Sequence, residues 1–342
     1  MERAAWMLIV VLLLTGCGDK KTNDRDRFFL RGNVALENRE IDEAIKFYSE
    51  AIKLDPNFAL AYNNRGIAYF EDDDLISAVN DYGRAIRLDK AYTDAYQNRA
   101  NSLLNLGRYQ EAISDLEKVV VAQPDSADVH FALGMAYEGN RQHEDAITAF
   151  KKSAAIDPAN PETYLNMAVV YYNTNELALA DSLLNVADQS GQSDPNYYNI
   201  KGLVEMKKNQ LQAAIVVFNR GLLSYPDNAF ILNNRGYVYL LMDSLSLAGE
   251  DINKSILLDP GNLWAYRNKG ILAYEQGDMT TARRLLNRAL DDNQYVEDVN
   301  GYLGLVSLAE GKQAEACRYL TTSLANNETV GEAAYAQNCD KD

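Results

Sequence analysis

The chain has 342 residues, 47% of them hydrophobic and 24% charged, an ordinary balance that can bury a sizeable core and excludes a largely disordered polypeptide. Its formal charge of -16, with a pI near 4.6, argues against nucleic acid as a partner, because that binding rests on Lys and Arg neutralising phosphates. An acidic surface is likewise repelled by anionic lipid headgroups, so any attachment to a membrane must come from another feature.

The first residues supply one. Arg3 leads into the apolar run Ala4 to Leu14, followed by Thr15-Gly16-Cys17, which is the layout of a secretory signal. The run is too short to span a hydrocarbon core, which takes roughly 20 residues. Leu14-Thr15-Gly16-Cys17 resembles the lipobox of bacterial lipoproteins. The resemblance implies that residues 1–16 are a signal peptide removed before Cys17, and that Cys17 is lipidated in a bacterial cell envelope. The alternatives are an ordinary secreted protein with an incidental cysteine, or an uncleaved anchor. Residues 17–24 continue as a polar stretch without apolar periodicity and read as a short tether. In that family an aspartate directly after the lipidated cysteine favours inner-membrane retention; Gly18 holds that place here, so the outer membrane is favoured.

From residue 25 to residue 330 the chain repeats with a period of 34, in nine units starting at 25, 59, 93, 127, 161, 195, 229, 263 and 297. Such a period marks a stack of helical hairpins. Place 20 of every unit is alanine: Ala44, Ala78, Ala112, Ala146, Ala180, Ala214, Ala248, Ala282 and Ala316. Place 8 is always Gly or Ala, and place 24 is always large and apolar, from Tyr48 to Leu320. Two antiparallel helices that cross closely need small side chains at the crossing. The seven prolines fall at place 32 or place 1, where a helix ends or begins and a missing N–H costs little.

These places and residue types resemble the tetratricopeptide repeat (TPR). The resemblance implies an all-α fold, a right-handed superhelical solenoid of about nine 34-residue helix-turn-helix repeats, with the first helix of each unit lining the concave face. Arginine at place 7 (Arg31, Arg65, Arg99, Arg235) is accompanied in three units by aspartate at place 23 (Asp81, Asp115, Asp251). That co-occurrence predicts ion pairs inside the hairpins and makes those arginines structural.

Residues 331–342 are expected to form a short segment capping the last unit. Cys317 stands at place 21, where other units carry mostly Ile or Val, and Cys339 lies in the cap. A disulfide between them is expected in an envelope compartment; two free, partly buried thiols are the alternative.

The resemblance puts places 2, 5, 6, 9, 12 and 13 on the concave face. Place 6 is asparagine in five units, Asn64, Asn98, Asn166, Asn234 and Asn268. An asparagine amide both donates and accepts, so such a ladder can hold an extended peptide; a generic surface residue is the other reading. Units 2 and 3 add Asn63, Gln97 and Asn101 to a polar end. Units 7 and 8 add Phe230, Asn233, Tyr237, Trp264 and Arg267 to an aromatic end, and Trp, Tyr and Arg are the residue types that anchor interfaces.

Catalysis finds no motif: no phosphate loop, nucleophile elbow or zinc-binding His-Glu-x-x-His stretch is present. His130 and His143 read as packing and surface residues, and Glu71-Asp72-Asp73-Asp74 as a solvated turn. No enzyme, cofactor, metal or small-molecule substrate is expected. The expected function is a membrane-anchored scaffold or adaptor that binds segments of partner proteins, as a strand or as a helix. Alternatives are a self-associating structural scaffold, or an adaptor delivering substrates to an envelope protease or assembly machine.

Overall fold

The computed structural model describes residues 20–188, 194–290 and 295–339; the expected signal peptide, Cys17 and the first residues of the expected tether lie outside them. All regular structure among the described residues is helical. None of these helices is long and apolar enough to cross a membrane.

The chain divides into two compact units, one ending at Pro158 and one starting at Ala159. The first holds the hairpins α1 (Lys20–Glu37) with α2 (Ile41–Leu54), α3 (Ala59–Glu71) with α4 (Leu75–Leu88), α5 (Thr93–Asn105) with α6 (Tyr109–Ala122), and α7 (Ala127–Gly139) with α8 (His143–Ile156). The second holds α9 (Pro161–Asn173) with α10 (Leu177–Asp188), α11 (Pro195–Lys207) with α12 (Leu211–Ser224), and α13 (Ala229–Leu241) with α14 (Leu245–Leu258). It continues with α15 (Leu263–Glu275) and α16 (Met279–Ala289), then α17 (Val299–Ala309) and α18 (Gln313–Ala325), and ends in α19 (Glu332–Asn338). The hairpins follow the 34-residue period.

One boundary differs from the sequence reading. Helix α1 begins at Lys20, so residues 20–24, expected as tether, are helical. No Gly or Pro interrupts the stretch, and Arg27 pairs with Asp24 one turn back at 3.2 Å. Arg25 further fastens the helix start to Asp55 at 2.9 Å.

Each hairpin turns at place 15, where the backbone is left-handed: Arg39, Asp73, Gly107, Arg141, Asn175, Asn209, Asp243, Gly277 and Gly311 all have φ between 57° and 79°. The next residue's N–H then reaches back to the carbonyl at place 11, as in Glu40 to Ala35 at 2.8 Å and Asp278 to Ala273 at 2.9 Å. This closes the helix end by satisfying a carbonyl that would otherwise be orphaned. Glycine, asparagine and aspartate tolerate that conformation best, and they hold seven of the nine places.

The alanines at place 20 are fully buried in all nine units, and the large side chains at place 24 are at most 2% exposed. Geometry also explains place 8. A Cβ on Gly32, Gly66, Gly134 or Gly202 would come within 2.2–2.7 Å of the ring of Tyr48, Tyr82, Phe150 or Phe218. Where place 8 is alanine, in Ala100 and Ala168, place 24 is the smaller Leu116 or Leu184. The small residue thus makes room chiefly for the place-24 side chain.

The Arg–Asp pairs form as the co-occurrence suggests. Arg65 meets Asp81 through two hydrogen bonds of 2.6 and 2.9 Å, Arg99 meets Asp115 at 2.7 and 2.8 Å, and Arg235 meets Asp251 at 2.7 Å twice. Arg31 has Phe47 at place 23 instead of aspartate, and its guanidinium stacks on that ring at 4.0 Å. At the C-terminal end, α19 follows Gly331, whose φ of +88° reverses the chain. Cys317 on α18 and Cys339 after α19 form a disulfide, with Cα atoms 5.5 Å apart.

Candidate protein-interaction site

In the first unit the place-6 asparagines are tied to the preceding repeat. Asn64 Nδ2 donates to Asn33 Oδ1 at 3.0 Å, and Asn98 Nδ2 donates to Asn63 Oδ1 at 3.1 Å. Asn63 in turn donates to Asn64 at 3.2 Å, and Tyr48 donates its hydroxyl to Asn33 at 2.9 Å. The result is a chain of amides running from α5 through α3 to α1. Asn63 is buried within it, while Asn64, Gln97, Asn98 and Asn101 stay partly exposed.

The second unit repeats the device. Asn268 Nδ2 donates to Asn233 Oδ1 at 2.8 Å, Asn233 donates to Asn234 at 3.2 Å, and Asn234 donates to Asn199 at 2.5 Å. Asn268 is wholly buried and Asn233 nearly so. Asn166 instead donates to the Glu162 carbonyl of its own helix at 2.9 Å. Apart from Asn166, the amides of the expected ladder thus join one repeat to the next, and Asn63, Asn233 and Asn268 have little surface left for a partner.

The aromatic residues do converge. Phe230, Trp264, Tyr237 and Arg267 border a cavity of about 570 Å³ inside the second unit, with Asn233 and Asn234 at its wall. Phe230 is 52% exposed and borders this cavity with its ring open to a partner. Arg267 is only 6% exposed, and its guanidinium lies over the Tyr237 ring at 4.6 Å. It donates through Nε to Asn268 at 2.9 Å and through Nη1 to the Glu297 carbonyl at 3.3 Å. Burial pushes the Tyr237 phenol up.

Sequence reasoning left out several lining residues: Tyr172, Asn199, Asn262, Glu297 and Asp298. The signal for two of them was present. Asp298 stands at place 2, like Phe230 and Trp264, and Asn199 stands at place 5. Asp298 has φ of 66°, and burial, as the largest influence, raises its carboxyl from 3.8 to about 6, against a lowering by Arg267. Between pH 4 and 6 the folded chain therefore holds more protons there than the unfolded chain, so the site costs stability as pH rises. Asp298→Asn, which suits a left-handed backbone, is expected to be more stable than the wild type above pH 6 by about 1 to 2 kcal/mol and equal to it near pH 3.5. Urea midpoints measured across that range check this, and a gap that does not change with pH would contradict it.

Among the described residues no group of three His, Cys, Asp or Glu is placed to hold a metal ion. His130 is buried with Nε2 2.8 Å from the Pro124 carbonyl, and His143 Nδ1 lies 2.8 Å from Glu138. In the acidic turn, Asp74 caps α4 by accepting from the Ser77 N–H at 3.0 Å.

Family models of the tetratricopeptide repeat match residues 98–161 and 137–204, and a TPR repeat model matches residues 32–73. Among solved structures, the chain resembles the APC/C hetero-tetramer Cut9-Hcn1 with a TM-score of 0.62 and 17% identity, over 92% of this chain and 76% of that one. It resembles Pseudomonas aeruginosa pilF with a TM-score of 0.51 and 19% identity, over 62% of this chain and 96% of that one. A third similarity, to MamA 41-end from Desulfovibrio magneticus RS-1, has a TM-score of 0.48 and 23% identity, over 52% of this chain and 99% of that one. The first two likenesses show the helical repeat fold.

Proposed function

We propose that these tetratricopeptide repeats form a protein-interaction scaffold whose main contact site is the Phe230, Trp264 and Arg267 cavity of the second unit. The observation that carries this reading is the meeting, on one concave surface, of a half-exposed phenylalanine, a tryptophan and a nearly buried arginine. Such side chains dominate the energetics of protein interfaces. The partly exposed asparagines of the first unit, Asn64 and Asn98, serve the stack rather than the partner.

The scaffold is held in the bacterial envelope by lipid on Cys17, a proposal that rests on the Leu14-Thr15-Gly16-Cys17 motif. The Cys317–Cys339 disulfide suits an oxidising compartment of that kind. The working role is recruitment of a partner protein to the membrane, with delivery to an envelope protease or assembly machine as its more specific form.

Crosslinking in native membranes tests the site. Wild-type chain is compared with a Phe230→Ala/Trp264→Ala variant; Phe230 is half-exposed, whereas Trp264 is partly buried against the core, so melting curves of both chains accompany the comparison. Loss of two anchors at about 2 kcal/mol each predicts a fall in partner recovery well beyond tenfold. Equal capture of the same proteins by both chains would remove the cavity from consideration.

A further inference from the structure

Three hairpins of this chain close with the same Arg–Asp pair, and two of them use the arginine's remaining nitrogen alike. Arg65 Nη1 donates to Ser49 Oγ at 2.9 Å, and Arg235 Nη1 donates to Asn219 Oδ1 at 2.6 Å. Ser49 and Asn219 both stand at place 25 of the repeat before. For Arg99 that place is Gly83, the only glycine at place 25 in the nine units. Arg99 commits Nε and Nη2 to Asp115. Its Nη1 has no acceptor among the described residues, and it lies 3.4 Å from the point where a Gly83 Cβ would stand.

The missing side chain borders a cavity of about 280 Å³ in the first unit, lined chiefly by α4 and α6, the second helices of neighbouring repeats, with Arg99 reaching in from α5. It shares no residue with the Phe230 cavity. Four cations line it: Arg87, Arg99, Arg108 and Lys118. Arg87 Nη1 comes within 3.6 Å of the same absent Cβ, so the two guanidinium nitrogens converge to about 7 Å or less. Arg87 forms no hydrogen bond or ion pair among the described residues. Two carboxylates stand against the four cations. Asp115 is held by Arg99 and lies 3.9 Å from Lys118, and Glu111 is held by Arg108 at 2.7 and 2.8 Å. The cavity thus keeps two positive charges in excess, in a chain whose formal net charge is -16. Like charges brought this close repel, and an anion seated between them turns the repulsion into attraction.

We infer that this cavity binds a phosphate group, received above Gly83 by Nη1 of Arg99 and of Arg87, with Lys118 adding charge from α6. A phosphate group carries about -1.5 to -2 charges at pH 7, which matches the local excess, whereas a carboxylate would leave it half balanced. Guanidinium groups suit phosphate oxygens in geometry as well as charge. Gly83 is buried in α4, and its lack of a side chain lets the anion come close to the helix. The phosphate can be a free ion or a phosphoryl group on a partner peptide.

Titration calorimetry of the full chain, at constant low ionic strength made up with chloride, tests this with four probes: inorganic phosphate, acetate, acetyl-Ala-phosphoserine-Ala-amide and the same peptide without phosphate. The expected result is one site per chain that takes a phosphate probe at least about tenfold more tightly than acetate, and no binding of the unphosphorylated peptide. Whichever of inorganic phosphate and the phosphopeptide binds more tightly identifies the source. Arg87→Gln, at an exposed position, should weaken that binding about tenfold and leave the melting temperature in place. Gly83→Ser gives Arg99 the acceptor that Ser49 gives Arg65. It should abolish binding and raise the melting temperature, because serine suits a helix better than glycine. If Gly83→Ser does not fold, Arg87→Gln still decides the matter. Phosphate bound no more tightly than acetate, or an affinity unchanged in Arg87→Gln or in folded Gly83→Ser, would each overturn the inference.

Discussion

Asp115→Ala is expected to destabilise the α5–α6 hairpin by about 3 kcal/mol, the lower end of the range for removing one partner of a buried ion pair. Asp115 is 2% exposed and accepts two hydrogen bonds from Arg99. Those bonds, as the largest influence, raise the Arg99 guanidinium still further, and even without them an arginine does not deprotonate, so it keeps its charge when the carboxylate is lost. The arginine is left charged and half-sheltered between helices. In a stack of repeats the damage should be local, because each unit contacts chiefly its neighbours. Hydrogen exchange is therefore the suitable readout: amides of α5 and α6 should lose protection while those of α13 to α16 keep it. Replacing both partners by apolar residues, Arg99→Met with Asp115→Leu, should recover most of the loss. Unchanged exchange in Asp115→Ala would mean that the pair is decorative.

Gly202→Ala is the second large effect. The added Cβ would stand 2.2 Å from the Phe218 ring, far inside contact distance, and Phe218 is fully buried. Overpacking of this kind costs about 1 to 3 kcal/mol, even though alanine by itself favours a helix over glycine by about 1 kcal/mol. The chain's own repeats suggest the remedy: Ala100 and Ala168 are accompanied by leucine at place 24. Gly202→Ala with Phe218→Leu should accordingly be more stable than the sum of the two single changes predicts, a coupling read by a double-mutant cycle in urea. Additive effects would show that place 8 is small for some other reason.

How much was legible in the sequence varies from place to place. The hairpins and their register follow from nine alanines and the place-24 side chains, because steric demands at a helix crossing recur with the repeat. The left-handed place 15 is only partly legible. Gly107, Gly277, Gly311 and the Asn and Asp residues hint at it, but Arg39 and Arg141 do not, since there the hairpin closure imposes a conformation that the residue disfavours. The Arg–Asp pairs were legible because both members lie in one unit at a constant separation of 16 residues.

The asparagine ladder shows the opposite case. Its residue types and places could be read, but their use could not. Which acceptor an amide finds differs along the chain: Asn63, Asn199 and Asn233 at place 5 accept from Asn98, Asn234 and Asn268, Asn33 at place 9 accepts from Asn64, and Asn166 bonds within its own helix. Phe230 at place 2 was easier, because an exposed ring has few other uses, whereas Trp264 at the same place packs partly against the core.

By itself, the sequence determined the repeat, its length and its packing rules, and it alone carries the Cys17 motif. These are local patterns, written within one hairpin or one short segment. Only the tertiary structure decided which polar side chains are already committed and which are not. Arg267 shares its chemistry with Arg65, Arg99 and Arg235, yet they hydrogen-bond aspartates, whereas it hydrogen-bonds neutral oxygens and meets the charge of Asp298 only across space. That difference is set by residues from adjoining repeats meeting around one cavity, because a counter-charge acts through distance in space and not through position along the chain.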